Sequence, residues 1–121
     1  MFKEVSIGSQ KVAMLANGAT PLYYKQTFHK DLISKVYGAE DQIGEVNDCA
    51  PELAFIMTKQ AEKMKNPAIQ MNALNFDAYI EWLEGFEATT LLFATDEIMD
   101  LYFHDGQPSA EAKKKQEELK E

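Results

Sequence analysis

Near the N-terminus, hydrophobic and polar residues alternate weakly, as expected for a β-strand with one buried face. Val5 and Ile7 share one parity, and the segment Gly8-Ser9-Gln10 separates them from a second apolar run at residues 12–15. A short connection that contains glycine is typical of a hairpin loop. The pattern predicts a β-hairpin over about residues 1–16. This hairpin must pack on other elements, because a two-stranded ribbon is only marginally stable by itself.

From residue 20 onward, the apolar residues recur at helical spacing, three or four positions apart. We predict helices at residues 20–29 with a restart at 30–38, at 48–65, from Asn75 or Phe76 to Gly85, and at 87–104, with a polar loop at 39–47. The predicted fold class is mainly α: a small helical bundle of four to five helices with a short N-terminal β-hairpin.

Each predicted helix has an apolar face that we expect to be buried. These faces consist of Tyr24, Phe28, Leu32 and Ile33; of Leu53, Ile56, Met57, Ala61 and Met64; of Phe76, Tyr79, Ile80 and Leu83; and of Leu91, Leu92, Thr95, Ile98, Met99 and Tyr102.

The residues at two helix starts are typical capping residues. Thr20 is predicted to be an N-cap with Pro21 after it, and Asn17-Gly18 to form the preceding turn, because both tolerate positive φ angles. Asp48 is predicted to cap the next helix, with a proline in its first turn. That helix is expected to end at the Asn-Pro pair of residues 66–67, because proline disfavours helix in the residue before it.

The length of 121 residues is typical of one domain. We predict a single mainly helical domain at residues 1–108 and a charged, flexible tail at 109–121. Cys49, the only cysteine, has no partner for a disulfide or a zinc site and is expected to be a buried thiol. No apolar run reaches the ~18 residues of a membrane span, and the N-terminus does not resemble a signal peptide. We therefore expect a cytoplasmic protein that contacts no membrane.

The net charge of −8 is concentrated in one part of the sequence. Residues 66–110 carry 8 acidic residues and no lysine, whereas the segments before and after them are balanced. Such a stretch forms either a solvated acidic face or a docking surface for a basic partner. All 12 basic residues are lysine. The absence of arginine argues against a nucleic-acid reader, because arginine is the usual ligand of phosphate and guanine.

Two groups of acidic residues have spacings that a reactive site could use. Asp96, Asp100 and His104 share a helix face, but one helix alone leaves a divalent cation short of ligands. Two glutamates flank Trp82, and their alternation with apolar residues is that of an amphipathic helix rather than a catalytic pair. We predict no catalytic, cofactor-binding or metal-binding residue and no enzyme activity.

The residues predicted to contact a partner are aromatic, flexible and apolar, or acidic. Tyr23 and Tyr24 point about 100° apart on a helix, so one faces the core and the other faces outward. Met64 and Met71 flank the predicted helix break and are expected to edge a groove suited to varied helices. The full set of partner-binding candidates is Tyr23, Tyr24, Met64, Met71, Trp82, Glu81 and Glu84.

Residues 17–25 have the sequence Asn-Gly-Ala-Thr-Pro-Leu-Tyr-Tyr-Lys, and residues 28–32 have Phe-His-Lys-Asp-Leu. These motifs resemble the start of tail assembly chaperones from phages with long non-contractile tails. Members of that family typically have an Asn-x-Ala-Thr-Pro-Leu run, a Tyr-Lys pair and a Phe-x-Lys-Asp-Leu run. The resemblance continues loosely through residues 79–83 and 91–103. The family often has glycine where this chain has His29, which changes the helix break expected there.

The resemblance implies a chaperone that binds the tape measure protein and assists the tail tube protein to polymerise around it. It further implies action in the host bacterial cytoplasm, absence from the mature virion, and a longer product made by ribosomal frameshifting. A run of adenines encoding the three lysines at 113–115 would suit that process. Self-association stays open. Two alternatives also stay open: an acidic inhibitory protein that imitates nucleic acid, and a structural connector of the tail.

Overall fold

The computed structural model describes the backbone of residues 2–30 and 43–106, and the side chains of residues 2–30 and 49–103. Its elements are β1 (Phe2–Ile7), β2 (Gln10–Leu15), α1 (Thr20–Phe28), α2 (Ile43–Lys65), a 3₁₀ turn (Met71–Ala73), α3 (Phe76–Leu83), α4 (Thr90–Phe93) and α5 (Thr95–Gly106). The predicted mainly α fold with an N-terminal hairpin is confirmed. The predicted restart at 30–38, with Leu32 and Ile33, and the predicted tail at 109–121 lie outside the described residues.

β1 and β2 form an antiparallel two-stranded sheet, joined by a tight turn at Gly8 and Ser9. Gly8 has a φ angle of +62°, which favours glycine, and a Cβ atom there would lie 3.0 Å from the side chain of Thr90. Val5 and Ile7 are buried, as the alternating pattern predicts. The sheet packs on the helices through contacts of β2 with α2 and of β1 with α4 and α5.

The start of α1 differs from the prediction. Thr20 is the first helical residue, Ala19 occupies the cap position, and no side chain caps the helix, so the predicted N-cap role of Thr20 is wrong. Pro21 lies in the first turn as predicted. Neither Asn17 nor Gly18 has a positive φ angle. Instead, the side-chain oxygen of Asn17 accepts a 2.9 Å hydrogen bond from the Ala19 amide, which makes the turn without left-handed backbone.

α2 begins earlier than predicted. It begins at Ile43 and already includes Asp48, so the predicted cap at Asp48 is wrong. The predicted loop at 39–47 is also wrong from residue 43 onward, where the chain is helical. Pro51 lies inside the helix, where it removes one backbone hydrogen bond. The buried face that follows offsets this cost, because tertiary packing supplies most of the stability of a helix in a protein. The helix ends directly before the Asn-Pro pair, as predicted.

α3 has the predicted start. Asn75 is its N-cap, and its side-chain oxygen accepts a 2.9 Å hydrogen bond from the Ala78 amide. Tyr79 is buried where α3 packs on α2, whereas Phe76 and Ile80 are exposed. The prediction that all of this apolar face is buried is therefore wrong.

The last predicted helix is divided into α4 and α5 at Ala94. The carbonyl oxygen of Leu91 accepts hydrogen bonds from the Ala94 amide at 3.1 Å and from the Thr95 hydroxyl at 3.5 Å. The threonine hydroxyl thus competes for the acceptor that a continuous α-helix would give to the backbone. As a result, one amphipathic pattern forms two helices, and Leu92, which was predicted to be buried, is exposed.

α2 lies at the centre of the fold and packs against β2, α1, α3, α4 and α5. One hydrophobic core joins all of these elements. Its largest fully buried apolar side chains are Tyr24, Phe55, Ile7, Met14, Leu53, Ile56, Met57, Ile98, Leu101 and Val5. The predicted burial of the α2 face is confirmed except at Met64, which is 61% exposed beyond the end of the packed region.

A row of aromatic rings crosses the core from α1 to α3. The ring centroids of Phe28 and Tyr79 are 5.0 Å apart, and Phe55 lies 5.5 Å from Tyr79 and 5.6 Å from Trp82. The Phe28 and Tyr79 rings meet edge to face at 84°, a favoured arrangement of aromatic quadrupoles. This row fixes the position of Trp82, whose indole is partly exposed at the end of the core.

Candidate interaction surfaces

The N-terminal motif forms a closed hydrogen-bond network with α2. The Thr20 hydroxyl accepts from the Asn17 amide at 3.0 Å and donates to the Gln60 side-chain oxygen at 2.8 Å. The Gln60 side-chain nitrogen then donates to the Asn17 side-chain oxygen at 2.9 Å. Thr20 and Gln60 are buried, and these hydrogen bonds replace the ones that their side chains would make to water in the unfolded chain. The motif therefore fastens α1 to a helix some forty positions later.

A second buried network lies further along the same helix pair. The Tyr24 hydroxyl donates a 2.7 Å hydrogen bond to Glu52, and the Lys30 ammonium lies 3.0 Å from the other carboxylate oxygen. Burial raises the pKa of Tyr24 above its ordinary value, and the neighbouring Cys49 and Glu52 raise it further. At neutral pH the phenol is therefore a fixed hydrogen-bond donor, which serves the structure rather than reactivity.

A small cavity of about 230 Å³ lies between the start of α1 and the end of α2. Tyr23 and Met64 both line it, together with Leu15 and Lys63. The expectation that Met64 and Met71 edge one groove is not met, because Met71 is buried in the 3₁₀ turn and does not line this cavity.

A larger cleft of about 390 Å³ lies between β2, α2 and the end of α3. We call it the Trp82 cleft. Its lining includes Lys11, Val12, Thr58, Glu62, Trp82 and Phe86. The rings of Trp82 and Phe86 are 4.9 Å apart and meet edge to face. Thr58 is only 5% exposed, and its hydroxyl has no hydrogen-bond partner among the described residues.

An acidic cleft of about 470 Å³ adjoins the Trp82 cleft, and we call it the Glu84 cleft. Its lining includes Ser9, Glu84, Glu87 and Thr90, and it shares Gln10, Gly85 and Phe86 with its neighbour. The Gln10 side-chain amide donates a 3.1 Å hydrogen bond to the Gly85 carbonyl at the boundary of the two clefts. This bond ties the hairpin to the loop after α3.

Large apolar side chains are exposed on α3 and α4. Phe93 is 83% exposed and Phe76 is 58% exposed, and Ile80 and Leu92 are exposed as well. Single exposed apolar residues are ordinary, but four large ones within two helices that follow each other in the chain are a notable exposure for a small domain.

The seven predicted partner-binding residues are divided between core and surface. Tyr24 and Met71 are buried, so the structure gives them packing roles. Tyr23 and Met64 meet at the small cavity, whereas Trp82 and Glu84 line the two adjoining clefts. Glu81 is exposed on α3, away from the linings of these cavities.

Sequence reasoning missed Thr58 and Phe86 as residues that line a cleft, and Phe93 as an exposed residue. A signal existed for Phe93, because it lies outside the apolar stripe of the last predicted helix and so had to face outward. No local signal marks Thr58 or Phe86, because Thr58 lies in α2 and Phe86 lies in the loop after α3, and the two line one cleft only once these elements have packed together.

Among the side chains at 2–30 and 49–103, no group of three acidic, histidine or cysteine residues is placed to hold a metal ion. The group of Asp96, Asp100 and His104 is described only in part, because the histidine side chain lies outside those residues. Within the described ranges, no helix combines the length and apolar character required to cross a bilayer.

Comparison of the chain with models of known protein families, with curated proteins and with solved structures found no significant match.

Proposed function

We propose that this protein is a tail assembly chaperone of a phage with a long non-contractile tail. It binds the tape measure protein in the bacterial cytoplasm, keeps it soluble while the tail tube protein polymerises, and leaves before the virion matures. The observation that carries the proposal is the N-terminal motif at residues 17–32, which resembles the start of that family.

The hydrogen bonds of the motif give it a physical role that suits this proposal. Asn17 and Thr20 bond to Gln60 and so fix the angle at which α1 leaves the hairpin. Tyr24 repeats the connection to α2 one turn later through Glu52. The motif thus supports a scaffold whose other surfaces are left available for a partner.

The exposed apolar side chains of α3 and α4 are the surface on which a helical partner would bind. A tape measure protein is a long helical chain whose apolar stripes lack partners before assembly, and an apolar surface recognises such stripes without any catalytic group. Phe93, Leu92 and Phe76 supply apolar area of this kind. A net charge of −8 would keep the complex dispersed.

Co-expression with the tape measure protein of the same phage tests the proposal. The tape measure protein is expected in the soluble fraction only when this protein is present, and the purified virion is expected to lack this protein. A tape measure protein that is equally soluble alone would overturn the chaperone function. Recovery of this protein in stable stoichiometry from mature tails would favour a structural connector instead.

The Phe93→Ser substitution tests the surface itself. Phe93 makes little contact with the fold, so the variant is expected to fold normally and to solubilise less tape measure protein. Phe2→Ser removes an exposed phenylalanine from the hairpin and serves as the matched control. Equal activity of the two variants would contradict a role for α4.

The acidic inhibitory alternative is favoured by one observation, the absence of lysine from residues 66–110. The affinity of a protein that imitates nucleic acid should fall steeply as the salt concentration rises, because its carboxylates take the place of phosphates against the basic residues of the target. Chaperone binding should weaken much less with salt, because most of its contacts are apolar and exposed ion pairs are individually modest. A salt titration of the isolated complex therefore separates the two functions.

A further inference from the structure

We infer that the Trp82 cleft and the adjoining Glu84 cleft together bind a basic apolar segment of another polypeptide, with lysine or arginine beside a large apolar residue. The inference names the chemistry of the partner and therefore rests on the proposed function, in which this protein binds another chain. Four features of the described residues support it. They are a rigid aromatic wall, an acidic rim, a lining that contains a single cationic side chain, and a buried hydroxyl without a hydrogen-bond partner.

The aromatic wall is set in place before any partner arrives. Trp82 contacts Phe55 of the core on one side and Phe86 of the cleft on another, with centroid distances of 5.6 Å and 4.9 Å. A side chain fixed in this way loses little conformational freedom when a ligand binds. The exposed part of the indole suits both an apolar side chain and the aliphatic stem and cationic head of lysine or arginine.

The acidic rim gives the partner its charge. Glu84 and Glu87 are exposed and line the Glu84 cleft, and neither carboxylate has an ion-pair partner among the described residues. Two negative charges at the edge of an apolar cleft favour a cationic side chain and repel an acidic one.

Only Lys11 brings positive charge to the lining of the two clefts. The third acidic residue of the two linings, Glu62, already lies 3.1 Å from Lys59 and is partly neutralised. The carboxylates of Glu84 and Glu87 therefore give the rim a net negative charge, which favours a basic partner over a neutral one.

Thr58 supplies a polar group that the fold leaves without use. Thr58 is among the residues that line the Trp82 cleft, and its hydroxyl is buried with no partner among the described residues. Buried hydroxyls in proteins are normally hydrogen-bonded, so an exception needs an explanation. Water does not reach this oxygen in the unbound protein, so a polar atom of a bound segment would satisfy it only where the segment opens the cleft beside Thr58.

Fluorescence of Trp82, the only tryptophan in the chain, reports binding directly. The probe is a synthetic amphipathic helix of leucine and lysine, about 18 residues long so that it is helical when bound. Two companion peptides replace lysine with glutamate or leucine with serine. We expect saturable binding of the first peptide, with a shift of the emission maximum, and much weaker binding of the other two.

Matched charge variants separate the clefts from the general negative charge of the protein. The first double variant, Glu84→Gln with Glu87→Gln, removes two charges from the rim. The control double variant, Asp77→Asn with Glu81→Gln, removes two exposed charges of α3 that do not line either cleft. The first pair should weaken binding about three- to tenfold, since exposed ion pairs are individually modest, and the second pair less than about twofold. Lys11→Gln should strengthen binding about twofold by removing the opposing cation.

Equal weakening by the two double variants would overturn the inference, as would equal affinity for the lysine and glutamate peptides. Those results would leave the chaperone function standing, because co-expression measures it independently. Conversely, a protein that binds the lysine peptide through Glu84 and Glu87 but does not solubilise the tape measure protein would retain this site and lose the proposed function.

Discussion

The Tyr24 hydroxyl and the Glu52 carboxylate, 2.7 Å apart and both buried, form the hydrogen bond that joins the middle of α1 to α2. Lys30 bridges the same carboxylate from the chain just beyond α1, with its ammonium 3.0 Å from one oxygen. A buried carboxylate is tolerated only when its lone pairs are satisfied, and here a phenol and a cation share that task.

Tyr24→Phe should lower the free energy of unfolding by about 1.5–3 kcal/mol, because it removes a hydrogen bond to a buried charged group and leaves part of the carboxylate unpaired. Urea denaturation followed by circular dichroism measures the change. Tyr23→Phe is the control, since Tyr23 is only partly buried and should lose less than about 0.5 kcal/mol. Equal stability of the two variants would show that the Tyr24–Glu52 bond contributes nothing net.

The raised pKa of Tyr24 makes stability fall at alkaline pH. The folded protein holds the phenolic proton more tightly than the unfolded chain, in which tyrosine titrates near pH 10. The stabilisation is complete below about pH 10 and is lost progressively as the pH rises above it, because the unfolded state then releases a proton that the folded state retains. The free energy of unfolding should therefore fall less between pH 8 and pH 11 in the Tyr24→Phe variant than in the unsubstituted protein. A parallel decline in both would contradict this origin of the pH dependence.

Thr20→Val should cost about 1–3 kcal/mol, although valine matches threonine in shape. The substitution leaves the Asn17 amide and the Gln60 side chain without their buried partner. Thermal and urea denaturation measure the loss. Thr89→Val, at an exposed position whose side chain does not cap α4, should change stability by less than about 0.5 kcal/mol. If the threonine acted only as an N-cap, Thr20→Asn would preserve stability, whereas this network requires a hydroxyl.

His29→Gly should raise the free energy of unfolding by about 1 kcal/mol. His29 ends α1 in the left-handed region with a φ angle of 58°, and its amide bonds to the Lys25 carbonyl at 2.8 Å. Glycine adopts this conformation without steric cost and is the usual residue at such a position. Lys25→Gly, within the helix, should instead destabilise by about 1 kcal/mol. A destabilised His29→Gly protein would mean that the imidazole makes contacts worth more than the backbone strain.

Local patterns were sufficient to predict the elements whose ends depend on nearby residues. The hairpin turn needs a residue that tolerates positive φ, and Gly8 supplies it. The start of α3 needs a side-chain acceptor for a free amide, and Asn75 supplies it. The end of α2 follows from a proline two residues later. Each of these rules acts within about one helical turn, so the sequence alone reveals it.

The failures occur where distant residues decide the outcome. Thr20 has the identity of an N-cap but bonds to Gln60 instead, forty residues along the chain. Pro51 has the identity of a helix start, but α2 begins at Ile43 and continues through it into the buried face that follows. Both errors come from applying a local preference where tertiary packing has the larger energy.

The candidate clefts were even less accessible to prediction. Gln10 and Gly85, whose hydrogen bond divides them, are 75 positions apart. Trp82 and Glu84 were predicted as contact residues from their types alone, and nothing in the sequence paired them with Lys11 or Thr58. Cavities between non-adjacent elements depend on the docking of those elements, which no local pattern specifies.

The position of α2 has a consequence for how this molecule comes apart. Since the hairpin and the other four helices all pack on that one helix, each of them loses a major part of its contacts once α2 melts, and the contacts that β1 makes with α4 and α5 are few. Denaturation is therefore expected to be a single cooperative transition, with strands and helices lost at the same temperature.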